Sequence, residues 1–322
     1  MTHDTTNDRP VGGGVLVNLG RFGDGLLHRL QAALPDEDVV AWDPAGPPGS
    51  PSAPDVLVTL LDDPPGIAAA MAPSVRWVHV LGAGIDGFPL DALGDRTLTC
   101  SRGAGAAAIA EWVLAMMLAF EKDLPASWIH EPPAQWNIAR LGGLRGRTLG
   151  LVGIGAIGSA VARRAQAFDM RVIATRRTAA PADDGIERAA SLAELLAAAD
   201  HIVVAAPATA ETRHLIDADA LGAVKPGAHL INIARGSLVD QDALLAALDD
   251  GRLAMASLDV VEPEPLPAGH PLFTHPRVRL SPHISWSSPE TSRRTMELFV
   301  ENVARYRAGE PLTGAVDLEL GY

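Results

Sequence analysis

Cysteine is almost missing from this 322-residue chain, where Cys100 stands alone. An intrachain disulfide is therefore impossible, and a reducing compartment, the cytoplasm, is the expected location. A lone thiol is more often a small buried hydrophobe than a nucleophile, so Cys100 is not taken as catalytic. Aromatic residues are also scarce, at 4%, which points to aliphatic cores of packed helices and sheet. Positive charge is short: 26 Lys and Arg face 39 Asp and Glu, a net −13. Nucleic acid and anionic membrane both need a basic surface, so neither is an expected partner. No uninterrupted apolar run is long enough to cross a bilayer. The first ten residues lack the apolar stretch of a signal peptide. No cluster of His, Cys, Asp and Glu has metal-ligand spacing, and no metal is expected.

What remains is a chain 48% apolar and 20% charged, suited to a globular protein with a sizeable core. Its length predicts two domains. Residues 1–13 read as a polar tail. Short apolar runs at 15–19, 39–42, 56–60, 75–80 and 97–100 then alternate with helical stretches at 25–33 and 67–72. Residues 45–54, rich in Pro, Gly and Ser, read as loop. A long helix is predicted over 106–121. The segment 124–144, with Pro125, Pro132, Pro133, Trp128 and Trp136, reads as an extended connection that packs on a partner subunit, so a homodimer is expected.

A second series follows, with strands at 149–152, 171–175, 201–205, 229–233, 255–259 and 278–280, and helices between them. Six strands in this order predict a doubly wound parallel sheet. The last stretch, 289–309, has one apolar face made by Met296, Phe299, Val300, Val303 and Tyr306. Pro289 at its first position is a helix-start signal. This helix is expected to return to the first domain. The fold class is thus α/β, with two doubly wound parallel-sheet domains. A Rossmann cofactor domain (102–287) is inserted in a discontinuous, flavodoxin-like substrate domain (11–101 with 288–322). Hinges are expected near 101–105 and 285–289, where the chain crosses between them.

Gly153, Gly155 and Gly158 form G-x-G-x-x-G, with Ala156 and Ile157 inside the motif. The motif follows an apolar strand and opens a helix, which is the context a dinucleotide site requires. The first glycine allows the tight turn, the second lets the backbone approach a pyrophosphate, and the third lets helix and strand pack. The helix N-terminus supplies the local positive potential that an acidic protein needs for phosphates. The next strand ends in Thr175, Arg176 and Arg177. An enzyme that uses NAD usually carries an acid there, for the ribose 2′-hydroxyl. Arg instead suits a 2′-phosphate. NADP(H) is therefore expected in preference to NAD(H), against the plainer reading of two solvated strand-end charges.

Three downstream stretches carry a resemblance: Ile231 to Asp240 (INIARGSLVD), Leu258 to Leu266 (LDVVEPEPL) and Leu280 to Trp286 (LSPHISW). With the glycine motif, their order and spacing resemble the D-isomer-specific 2-hydroxyacid dehydrogenase family, which includes glyoxylate/hydroxypyruvate reductases. Val261 departs from it, standing where an aromatic is common. The resemblance implies that Arg235 binds the substrate carboxylate and carbonyl, that His283 is the acid/base and that Glu264 orients it. It implies that Asp259 holds the nicotinamide carboxamide and that Ala206, Pro207, Ile233 and Ala234 line the cofactor cleft. It implies that Gly82, Ala83 and Gly84 bind the substrate carboxylate through backbone N–H groups.

The chemistry fits these residue types. Reducing a 2-keto acid needs a hydride at the carbonyl carbon and a proton on its oxygen. Imidazole titrates near neutrality, and a neighbouring carboxylate favours its charged form. A planar guanidinium can reach two oxygens of a keto-carboxylate and stabilise the developing alkoxide. Taken singly, Arg235, Glu264 and His283 would read as a turn residue, a solvated acid and a satisfied polar group. Their order at predicted strand ends favours function. The expected activity is hydride transfer between NADP(H) or NAD(H) and a small 2-hydroxy or 2-keto acid of the glyoxylate/hydroxypyruvate type. The alternative is a non-catalytic NAD(P)H-sensing, corepressor-like binding protein.

Overall fold

The structure is a computed structural model that describes residues 13–18, 23–43, 53–176 and 185–318. Residues 1–12 of the predicted tail, most of the predicted loop at 45–54, and Arg177 lie outside the described residues. The chain divides into two compact units, one running to Ala104 and resuming at Ser292, the other Gly105–Thr291.

The first unit is a five-stranded sheet, parallel throughout, in the order β2-β1-β3-β4-β5. Its strands are β1 (Val15–Val17), β2 (Val39–Ala41), β3 (Val56–Thr59), β4 (Trp77–Val80) and β5 (Thr97–Cys100). This is the flavodoxin-like order. Side chains alternate across a strand, and in β3 that alternation serves two cores. Val56 and Val58 join Leu26 and Leu30 of α1 (Gly23–Ala33) and Phe299 and Val303 of α8 (Pro289–Ala308). Leu57 joins Ile67 and Ala70 of α2 (Pro64–Ala70) on the other face. Asp63 caps α2 by accepting from the Gly66 N–H, the usual service of a short acid at that position.

The first core departs from the aliphatic expectation. Trp77 is fully buried, with ring centroids of Phe299 at 5.6 Å and Tyr306 at 5.3 Å. Few aromatics in the whole chain do not prevent several of them from meeting at one place.

The second unit is a seven-stranded parallel sheet, ordered β12-β11-β10-β9-β6-β7-β8. The strands are β6 (Thr148–Val152), β7 (Arg171–Thr175), β8 (Ile186–Arg188), β9 (His201–Val204), β10 (Ala228–Asn232), β11 (Leu253–Leu258) and β12 (Val278–Leu280). The sequence predicted six. β8 was missed because it is three residues long, buries only Ile186, and lies at the sheet edge, so it carries no apolar run to read. α3 (Ala106–Glu121) and α4 (Ala156–Gln166) cover one face through Val113, Met117 and Val161. α5 (Leu192–Ala198), α6 (Ala218–Gly222) and α7 (Gln241–Asp249) cover the other through Leu195, Leu221 and Leu244. Burial on both faces explains why these strands read as continuous apolar runs.

Among the described residues, no helix is long and apolar enough to cross a membrane, and no group of three His, Cys, Asp or Glu could hold a metal ion.

Candidate active site

In the seven-stranded sheet the chain runs outward in one direction from β6 and in the other from β9. Crevices at such a switch point, beyond the carboxyl ends of the strands, are where open α/β sheets bind ligands. The second-unit residues singled out in the sequence follow these ends: Gly153 after β6, Arg176 after β7, Ala206 after β9, Ile233 to Arg235 after β10, Asp259 after β11 and His283 after β12.

The three glycines of the motif behave differently. Gly153 has φ +95°, and a Cβ there would sit 2.8 Å from the Ala206 backbone, so only glycine fits the turn beside β9. A Cβ at Gly158 would sit 2.9 Å from the Gly153 carbonyl oxygen, which keeps helix and strand close. A Cβ at Gly155 would meet nothing within 4 Å. That open side faces no packing demand, as expected where a ligand's phosphates need to approach the backbone. Gly155 also starts α4 without a side-chain cap, leaving the helix's first N–H groups to a ligand. Ala156 is exposed, Ile157 and Thr175 are partly buried, and Ala206, Ile233 and Ala234 are buried, while Pro207 is exposed. These residues fit a dinucleotide's pyrophosphate and its flanking rings.

The three polar side chains come from separate strand ends. His283 Nδ1 and Glu264 Oε2 lie 2.8 Å apart, and the other Glu264 oxygen accepts from the Val261 N–H at 3.1 Å. Burial pushes the Glu264 carboxyl upward. The hydrogen bonds from His283 and Val261, with the charges of His283 and Arg235, outweigh that and hold it below the usual carboxylate range. The influence of Arg235 on Glu264 brings the guanidinium into the same electrostatic neighbourhood. With Nδ1 engaged, Nε2 is the ring nitrogen available to a substrate.

Several residues that sequence reasoning missed build this arrangement. Asn232 is buried at the end of β10. Its Oδ1 accepts from the Ala234 N–H and its Nδ2 donates to the Arg235 carbonyl, shaping the turn that carries Arg235. Gly236 lies against residues 261 and 262, where a Cβ would overlap the Val261 carbonyl. Gln241 Nε2 donates to the Glu262 carbonyl and its Oε1 accepts from the Glu262 N–H, bracing the loop of Glu264. The available signal was an amide ending an otherwise apolar strand.

In the first unit, Gly82, Ala83 and Gly84 follow β4. The Ser101 N–H donates to the Gly82 carbonyl at 2.9 Å, and Cys100 Sγ donates to the Ala83 carbonyl at 3.4 Å. A Cβ at Gly82 would be in ordinary contact with Val80 Cγ1 at 3.7 Å and the Gly84 carbonyl oxygen at 3.8 Å. Two further histidines have internal partners: His270 accepts from the Leu272 N–H, and His275 contacts Asp249.

A profile described as the D-isomer specific 2-hydroxyacid dehydrogenase, NAD binding domain, matches residues 114–285. The chain is 39% identical to an (S)-sulfolactate dehydrogenase of Chromohalobacter salexigens over 244 residues, 73% of this chain and 79% of that protein. It is 35% identical to a glyoxylate reductase of Korarchaeum cryptofilum over 280 residues, 83% of each. A solved D-isomer specific 2-hydroxyacid dehydrogenase from Xanthobacter autotrophicus, in complex with NADPH and MES, superposes with a TM-score of 0.85. It is 31% identical, and the match covers 97% of this chain and all of that one.

Proposed function

The chain belongs to the D-isomer-specific 2-hydroxyacid dehydrogenases, and from that premise we propose that it is an NADP(H)-preferring reductase of small 2-keto acids of the glyoxylate or hydroxypyruvate type. The coarser part, a nicotinamide-dependent oxidoreductase of 2-hydroxy acids, follows from the family. The single observation that carries the residue roles is the 2.8 Å pair of His283 and Glu264.

A bound nicotinamide supplies the hydride chemistry. Gly153, Gly155 and Gly158, with Ala156 and Ile157, would hold the pyrophosphate. Thr175 and Arg176 would hold the adenosine end, with Arg177 beside them in sequence. Ala206, Pro207, Ile233, Ala234 and Asp259 would flank the nicotinamide. Arg235 binds the keto-carboxylate and steadies the negative charge that develops on the carbonyl oxygen. His283 delivers the proton to that oxygen from Nε2, while Glu264 holds the ring through Nδ1. In the oxidative direction the same imidazole takes the hydroxyl proton. The backbone N–H groups of residues 82–84 are assigned to the carboxylate by resemblance.

The preference for NADP(H) rests on Arg176 at the end of β7 and on the NADPH named with the Xanthobacter relative. We assign 11–101 with 288–322 as the substrate domain and 102–287 as the cofactor domain. A homodimer is supported by the exposed apolar residues of 128–141, and a cytoplasmic location by the single cysteine.

The test is a panel of 2-keto acids with NADPH and NADH, including the reverse reaction on (S)-sulfolactate, run on the wild type and His283→Ala. Glyoxylate or hydroxypyruvate should give the highest kcat/KM, and the variant should lose at least about a hundredfold in kcat. An NADH preference of about tenfold would overturn the cofactor assignment, since discrimination of that size requires a differential contact. Cofactor binding without turnover of any substrate would favour the sensing alternative.

A further inference from the structure

The geometry assigns Asp259, Ser281 and Trp286 as positioning residues that cage the backbone of His283 and so set the direction of its ring. This rests on the acid/base reading of His283 above. His283 has φ +55°, the left-handed region that non-glycine residues seldom occupy. Such a conformation persists only where the surroundings hold it.

The surroundings here hold it from three sides. The His283 N–H donates to the Asp259 carbonyl at 2.8 Å and to the Ser281 carbonyl at 3.1 Å. The His283 carbonyl accepts from the Trp286 indole N–H at 2.9 Å. The carboxylate of Asp259, 1% exposed, gathers the rest of the turn. Its Oδ1 accepts from the Ser281 hydroxyl at 2.5 Å and the Ile284 N–H at 2.8 Å, and its Oδ2 accepts from the Ser285 N–H at 2.9 Å. Hydrogen bonds to a buried carboxylate are charge-assisted and stronger than neutral ones.

These contacts give Asp259 a different weight. A carboxylate has about four acceptor positions, and three are filled by the turn that carries His283. At most one remains for a cofactor amide. The main work of this acid is therefore inside the protein, at the base of the catalytic turn. Side-chain direction follows from backbone conformation. If the turn relaxed to an ordinary negative φ, the ring would swing off Glu264, and Nε2 would leave its line to the substrate oxygen. A displacement of about 1 Å can cost on the order of a hundredfold in rate.

The variants that test this remove one contact each: Ser281→Ala deletes a hydroxyl, and Trp286→Phe keeps an aromatic ring without the indole N–H. Two readouts are taken together. In steady-state assays both variants should lose about tenfold in kcat, with KM for NADPH unchanged, and Ser281→Thr should restore most of the loss. In nitrogen-15 spectra of the histidine rings of cofactor-free protein, with His283 assigned by its loss in His283→Gln, the wild type should show the Nδ1–H tautomer. Both variants should move toward Nε2–H. Unchanged kcat and an unchanged ring spectrum in the two variants would overturn the proposal. So would losses that track a lower Tm and a weaker NADPH affinity while the ring spectrum stays as in wild type. A wild type that turns over no 2-keto acid would strike the functional reading alone, because the ring spectrum decides the positioning by itself.

Discussion

At the scale of single residues, burial is what separates one histidine from another. His283 is partly exposed and paired with a carboxylate. His79, in β4, is fully buried. Its Nδ1 lies 2.7 Å from the Thr99 hydroxyl and its Nε2 3.1 Å from that of Ser101. Loss of hydration holds its ring neutral and lowers its pKa from 6.5 to about 3. Between those two values the unfolded chain binds a proton that the folded chain refuses, so this residue makes stability fall as the pH drops from 6.5 toward 3. Buried His229 is shifted in the same direction, again first by burial. Calorimetric Tm values at pH 7 and pH 4 should therefore drop more in the wild type than in His79→Asn. Equal drops in the two proteins would mean that His79 is not the group being titrated.

At the scale of elements, two glycines that look alike in sequence have opposite tasks. Gly155 opens α4 with free space beside it, whereas Gly236 is pressed against the strand end that leads to Glu264. Gly155→Ala should leave Tm within about 2 °C of wild type, as for a surface change, while raising the NADPH dissociation constant about tenfold or more because the backbone is no longer approachable. Gly236→Ala should cost about 1–3 kcal/mol in a denaturant melt, the usual penalty for overpacking. It should also lower kcat, because the displaced segment carries the partner of His283. Denaturant melts, fluorescence titration with NADPH and steady-state rates separate the two. If Gly155→Ala destabilised the fold as much as Gly236→Ala, the open side of Gly155 would be a packing position rather than a ligand approach.

At the scale of the whole molecule, the segment between α3 and β6 stands out. Trp128, Ile129, Trp136, Ile138 and Leu141 are all exposed, Ile138 at 72%. Apolar side chains so concentrated mark an interaction surface. The segment is tied at its base, independently of its apolar residues. The Gly142 N–H donates to the Glu121 carbonyl at 2.9 Å, and Lys122 Nζ donates to the Gly142 carbonyl at 2.6 Å. From β12, Arg279 donates to the carbonyls of Ala119 and Leu124. If the homodimer proposed above forms through this surface, replacing Trp128 and Trp136 together by Lys should leave the fold intact and dissociate it, with a fall of about half in the mass seen by sedimentation. A wild type that sediments as a monomer would refute the assignment of this surface to a second copy.

Sequence alone determined what depends on near neighbours. The two alternating series of strand and helix, the long α3, the glycine turn and the order of the polar motifs were legible, because periodicity and turn chemistry act over a few residues. The three-residue edge strand β8 was not, since it buries too little to leave a pattern. Nor was the aromatic cluster in which Trp77 meets Phe299 and Tyr306, more than 200 residues further along the chain. The site divides in the same way. His283, Glu264 and Arg235 could be nominated from their motifs. Tertiary structure decided that His283 and Glu264 meet at 2.8 Å, that Gly236 permits the approach and that Asp259 holds the turn beneath. Those facts depend on which strand ends lie side by side, and strand order is set by packing between residues that sequence spacing does not relate.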